Sequence, residues 1–202
     1  MSTSAKAPIG RPRLFDEETV LASLTALFWR QGYSQTSISD IVEASGVHKP
    51  SLYRTFGSKE ELFAKVLRRY LAERMAMFGT LVAEAGPGIE GVHRFLDLFE
   101  VDAVSEQGRD GCLMVMASNE LRGRLPGYDF SVDYREQMRE QIQALVRQGC
   151  PEAEEDVVTA RTDLLTTYLL GLHVVMRAGA EPAEIHRYLH AMHVAVDDWR
   201  SR

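Results

Sequence analysis

The stretch Thr36 to Glu61, TSISDIVEASGVHKPSLYRTFGSKEE, constrains the fold more than any other part of the chain. Ser37, with Asp40 three residues on, marks a helix start of the capping-box kind. Gly46 supplies the left-handed residue that stops such a helix. Pro50 falls in the first turn of a second helix, where its missing N–H costs little. Gly57 stops that helix, and Ser58 with Glu61 starts another. The punctuation leaves room only for two short helices, at about Ser37–Ala44 and Lys49–Phe56. Helices this short do not hold themselves in water, so their apolar faces must be pinned by neighbours. Ile38, Ile41, Val42, Val47 and Leu52 are the residues able to do it.

Helical patterning dominates on either side. A helix from about Asp16 to Gln31 carries the stripe Val20, Leu24, Leu27 and Phe28, with Asp16 as N-cap and Gly32 as stop. From Ser58 a long apolar stripe runs through Leu62, Phe63, Val66, Leu67, Tyr70, Leu71, Met75, Phe78 and Leu81 to Ala85, where Gly86-Pro87-Gly88 breaks it. Four or five further helices are expected, at about 89–105, 111–122, 131–148, 153–178 and 182–200. No alternating strand pattern is present. The predicted fold is all-α: an N-terminal three-helix unit with a helix-turn-helix, joined to a larger helical body. The predicted boundaries are a basic arm over 1–14, a helix-turn-helix domain over 15–62 and a helical ligand-binding and dimerisation domain over 63–202.

Charge separates the two parts. Residues 1–70 carry 10 Lys+Arg and 7 Asp+Glu, a net +3, while the remainder carries 13 and 22, a net −9. A basic head on an acidic body points to an anionic partner for the head. On the second short helix the outward residues are His48, Lys49, Ser51, Tyr53 and Arg54, all able to reach phosphates or base edges.

The segment GYSQTSISDIVEASGVHKPSLYRTFGSKEELF resembles the DNA-binding segment of the TetR family of bacterial transcriptional repressors. The resemblance covers roughly the first third of the chain. It rests on Gly32-Tyr33, Thr36-Ser37, Gly46-Val47, Leu52-Tyr53, Phe56 and Ser58-Lys59-Glu60. It implies a homodimer, a double-stranded operator with two-fold character, and release from it by a small-molecule inducer. By position it places Lys49, Pro50, Ser51, Tyr53 and Arg54 on the recognition helix, with Tyr53 against the phosphate backbone. Thr36, Ser37 and Lys59 are implied phosphate contacts at helix starts. Arg11 and Arg13 could enter a minor groove from the arm. His48 departs from the family pattern, since a serine or threonine usually caps this helix. It could touch a phosphate or a base edge instead.

In the body, Phe95, Phe99, Met114, Met116, Tyr168, Leu172, His173 and Met176 are candidate pocket residues, or else simple packing. Cys112 stands near a helix start in GRDGCLMVMASNEL, with Asp110 as a possible cap and Arg109 nearby, a setting that lowers a thiol pKa. The segment resembles a TetR subgroup in which the N-ethylmaleimide-reductase repressor senses electrophiles through a cysteine. A thiol-based electrophile or redox sensor at Cys112 is therefore the alternative mode of induction; a small buried hydrophobe is the plain reading. His186, His190 and His193 share one face of the last helix. They could chelate a metal, but no Cys, Asp or Glu is clearly placed with them, and no metal or cofactor is expected. Two stripes are candidate dimer faces, or else close the subunit's own core: Ile185, Tyr188, Leu189, Met192 and Val196, and Leu164, Leu165, Tyr168, Leu169 and Leu172.

Other classes fit less well. An enzyme reading finds no nucleophile motif, phosphate loop or metal set. No apolar run is long enough to span a bilayer and the N-terminus lacks a signal-peptide core, so a cytoplasmic protein is expected.

Overall fold

The structure is a computed structural model describing residues 15–106, 108–121 and 130–201, apart from the side chains of Asn119 and Ser201. Among these residues it contains no strand. The elements are α1 (Glu17–Gln31), α2 (Ile38–Ser45), α3 (Lys49–Phe56), α4 (Lys59–Ala85), α5 (Ile89–Ala103), α6 (Leu113–Leu121), α7 (Phe130–Gly149), α8 (Glu155–Arg177) and α9 (Pro182–Asp197), closed by a 3₁₀ turn, Asp198–Ser201.

The expected helix starts are realised atom by atom. Asp16, Ser37 and Ser58 each accept the backbone N–H of the residue three positions on, and the last two form complete capping boxes with Asp40 and Glu61. Each such cap stabilises its helix by about 1 kcal/mol. Gly46 adopts φ +64°, the left-handed conformation the turn needs. His48 sits at the N-cap of α3 and makes no capping bond with its side chain.

The long helix α4 belongs to both halves of the molecule. Its first turns bury Phe63 against Phe28 of α1, ring centroids 4.7 Å apart, and Tyr70 against Trp29 at 5.1 Å. Its later turns bury Phe78 against Phe95 of α5 at 5.2 Å. α7 lies along α4, where the Gln141 side chain donates to the Met75 carbonyl at 3.1 Å. α8 packs on α7, and α9 packs on α5.

Two expectations for the last helices change. Ile185, Leu189, Met192 and Val196 of α9, and Leu165, Leu169 and Leu172 of α8, are buried within the subunit's own core. The large apolar residues left exposed on these helices are Leu164, Val174, Tyr188 and Val194. Periodicity found the apolar stripes but could not say which neighbour covers them. Nor do His186, His190 and His193 converge on one point. His193 places its Nδ1 2.8 Å from Nδ1 of His93 on α5 and its Nε2 3.3 Å from Asp97. His186 pairs with Glu100 at 3.0 Å, and His190 is exposed. Among the described residues no group of three or more His, Cys, Asp or Glu is arranged to hold a metal ion.

A buried polar cluster joins α4, α5, α6, α7 and α8. Arg74 pairs with Asp102 at 2.9 Å. The Tyr70 and Tyr134 hydroxyls both interact with the Cys112 thiol, and burial pushes both phenols well above their usual pKa. His173, 3% exposed, has its pKa lowered from 6.5 to about 3, by burial first and by Arg74 second. The folded state keeps this imidazole neutral, whereas the unfolded chain protonates it near 6.5. Its contribution to stability is whole above pH 6.5 and is lost as the pH falls toward 3. Denaturant titrations from pH 6.5 to 5 should show wild-type stability falling more steeply than that of His173→Leu, by up to about 1.4 kcal/mol per pH unit.

Candidate nucleic-acid interface

α2 and α3 form the helix-turn-helix. Ile41, Val47, Leu52 and Phe56 are buried beneath it and fix the second helix on the first. Lys65 of α4 supports α3 from below: its ammonium donates to the Thr55 carbonyl at 3.2 Å and lies over the Phe56 ring. With the apolar side anchored, the opposite side presents His48, Lys49, Pro50, Tyr53 and Arg54 to solvent. Tyr53 is 42% exposed, unusual for a large aromatic, and the Lys49 ammonium lies 5.8 Å from its ring centre. Ser51 is half-buried, within 3.4 Å of the Arg54 guanidinium.

The expected contacts at helix starts separate into three cases. Ser37 is exposed at the N-terminus of α2, as a phosphate contact requires. Thr36 is not brought to this surface: it is 1% exposed and its hydroxyl donates to the Gly32 carbonyl at 2.6 Å. A threonine beside a helix start reads the same from sequence whether its hydroxyl faces outward or folds back. Lys59 is half-buried, with its ammonium on the Tyr33 carbonyl at 2.7 Å and 4.2 Å from the Tyr33 ring centre. Burial lowers its pKa. Lys59 therefore ties the α1–α2 turn to the start of α4. Arg11 and Arg13 lie outside the described residues.

The candidate pocket residues also divide. Cys112, Met116 and His173 line one open cleft of about 370 Å³ between α6 and α8, together with Val115, Glu120, Val174, Arg177 and Ala178. Met176 lines a neighbouring cleft of about 350 Å³. Phe95, Phe99, Met114 and Leu172 are core, and the Tyr168 hydroxyl donates to the Tyr188 carbonyl. Cys112 stands one residue before α6 rather than within it, and Asp110 is not the cap. Gly111, at φ +73°, delays the helix, and the Cys112 carbonyl accepts its first bond from Met116 N–H at 3.1 Å. Tyr70 takes the capping role by accepting the Leu113 N–H at 3.2 Å.

Sequence reasoning missed the residues that join head to body. The Glu120 carboxylate accepts the Ser34 N–H at 2.8 Å. The Arg177 guanidinium donates to the Trp29 and Arg30 carbonyls, each at 3.1 Å. The Trp29 indole donates to the Gly111 carbonyl at 3.0 Å. These partners are 82 to 148 residues apart in the chain, so no local pattern announces them.

An anchored two-helix unit with an exposed basic and aromatic face defines a helix-turn-helix DNA-binding protein. Residues 20–66 match the family described as bacterial regulatory proteins, tetR family. The chain is 26% identical over 171 residues to the HTH-type transcriptional repressor BdcR of Escherichia coli K12, covering 84% of this chain and 83% of that protein. It is 48% identical over 62 residues to the repressor ComR of the same organism, a match spanning 31% of this chain and 30% of that one. It also superposes on a cysteine mutant of the TetR family regulator CifR, solved with 26 bp of double-strand operator DNA. That likeness has a TM-score of 0.73 and 28% identity, over 90% of this chain and 99% of the other. The match over residues 20–66 identifies the head as a DNA-binding segment of the tetR family of bacterial regulatory proteins, and the relatives and solved structures that extend into the body are transcriptional regulators. No described helix is long and apolar enough to cross a membrane.

Each lost phosphate contact lowers the salt slope of binding by about one, and each lost base contact costs about 1–3 kcal/mol. Lys49→Ala with Arg54→Ala should weaken DNA binding at least tenfold without changing the circular dichroism melt, since both side chains are exposed. Unchanged affinity of the double variant in a gel-shift titration would remove α3 from the interface.

Proposed function

We propose that the chain is a repressor that binds a two-fold operator as a homodimer and leaves it when a small molecule enters the helical body. The observation that carries this reading is the exposed face of α3, with Lys49, Tyr53 and Arg54 turned outward on a helix whose other side is fully anchored. The names of the relatives agree with it: BdcR and ComR are called repressors, and CifR was solved on operator DNA. Lys49, Pro50, Tyr53 and Arg54 would enter the major groove, with His48, Ser51 and Ser37 at its edge. Paired subunits would set two such helices about 34 Å apart, one turn of DNA. The inducer acts by preferring a spacing that the operator does not accept.

The dimer reading rests on Leu164, Val174, Tyr188 and Val194, which stay exposed on the last two long helices. Val174 and Val194 are each more than half exposed, at 53% and 55%. Two helices from each subunit would cover them in a four-helix contact. Sedimentation should give a dimer at micromolar concentration, and Val174→Glu with Val194→Glu should give a folded monomer with much weaker operator binding. A wild-type monomer would sink the dimer.

A second reading is favoured by one specific contact. The Cys112 thiol lines the 370 Å³ cleft and meets two phenol hydroxyls, those of Tyr70 and Tyr134. An electrophile in the cleft could bond to the sulfur while a phenol relays the thiol proton to it. Peptide mass mapping after treatment with N-ethylmaleimide should then show an adduct on Cys112, and the accompanying loss of DNA binding should persist in Cys150→Ser but not in Cys112→Ser. Adduct formation without any change in DNA affinity would leave Cys112 as a packing residue.

A further inference from the structure

The cleft between α6 and α8 has an uneven wall. Val115, Met116 and Ala178 make it apolar, while Arg177 and His173 line its α8 side. These two residues are four apart on one helix, so they present to the same place. His173 is buried, and its Nδ1 has no hydrogen-bond partner. A neutral imidazole with its proton on Nδ1 is a donor without an acceptor. Arg177 uses two of its five N–H groups on the Trp29 and Arg30 carbonyls, and no described carboxylate lies within ion-pair distance of it. Charge-assisted bonds to a carboxylate are stronger than bonds to neutral carbonyls. The Glu120 carboxylate, held by Ser34 N–H, guards the α6 side. It repels an anion there and turns a bound acid so that its charge faces α8.

Two of the residues lining this cleft are therefore also the hooks that hold the DNA-binding head. Arg177 holds the last turn of α1, and Glu120 holds the turn that follows it. Gly32 records how tightly the second hook fits, since a Cβ there would lie 2.5 Å from a Glu120 carboxylate oxygen.

We propose that this cleft binds a small monocarboxylic acid with an apolar body, its carboxylate held by Arg177 beside the neutral His173 ring, and that binding draws Arg177 off the end of α1. The proposal rests on the release reading above and names its ligand class and its point of action. The head is moved at the α1–α2 turn, directly by the residues that bind the ligand. α4 need only follow.

The test uses the full chain and four probes with their primary amides: hexanoate, octanoate, benzoate and phenylacetate. Binding is followed by tryptophan fluorescence, since the Trp29 indole and carbonyl both lie at the junction. Thermal shift serves as a second readout. At least one acid should bind about tenfold or more tightly than its amide. Arg177→Gln should erase that preference, so that acid and amide bind alike. The same acid should weaken binding to DNA selected from a random pool, and should do so less in Glu120→Gln, whose hook on Ser34 is loosened while Arg177 is kept. Equal affinity for acid and amide, a preference that survives in Arg177→Gln, or no saturable binding by any acid up to about 10 mM would each overturn the proposal. So would an acid that binds but leaves DNA affinity unchanged. Failure of the untreated protein to bind any selected DNA would instead defeat the repressor reading, and the acid-against-amide comparison would still judge the site.

Discussion

The junction between head and body depends on one buried hydroxyl. Tyr70 stands on α4 where that helix leaves the DNA-binding head, 2% exposed, with its ring edge-on to Trp29 of α1. A phenol this deep must find partners, because an unsatisfied buried polar group costs about 1–3 kcal/mol. Its oxygen accepts the first free N–H of α6, at Leu113, and its hydroxyl meets the Cys112 thiol. The start of α6 is thereby fixed to α4. The strand of chain just before it, at Gly111, is fixed to α1 through the Trp29 indole. Three elements far apart in sequence meet on one side chain, and the angle of the head relative to the body follows from their meeting.

How much of this was legible beforehand depends on the range of the interaction. The capping boxes at Ser37 and Ser58 lie within four residues, and their geometry is that expected from composition and spacing alone. The turn at Gly46 is equally local. The same local reasoning left Thr36 on the wrong side, because a threonine hydroxyl can face solvent or return to a carbonyl one turn back. It also gave the stripes of α8 and α9 to a partner, although α5, α7 and their own contacts cover most of them. Amphipathicity specifies that a face is buried and not by what. The hooks at Glu120 and Arg177 had no signal at all, since a lone charge on a helix surface has the same appearance whether solvated or holding another helix.

The helix proposed to meet DNA is the least self-sufficient of the set. α3 has eight residues, no side-chain cap and no acidic residue in its first turn. An isolated helix of that length would not persist. Its stability comes from Leu52 and Phe56 below and from Lys65, which binds the Thr55 carbonyl near its last turn. A cation near a helix C-terminus also complements the helix dipole. Supporting α3 from its neighbours leaves its outer face without structural duties. His48 does not cap, and Lys49 and Arg54 hold no carboxylate among the described residues. A stronger cap at position 48 would stabilise the helix locally, at the cost of committing a side chain that now makes no capping bond. The departure from the family pattern at His48 thus has a physical reading: α3 is held by tertiary contacts, so its first residues stay exposed and uncommitted to capping.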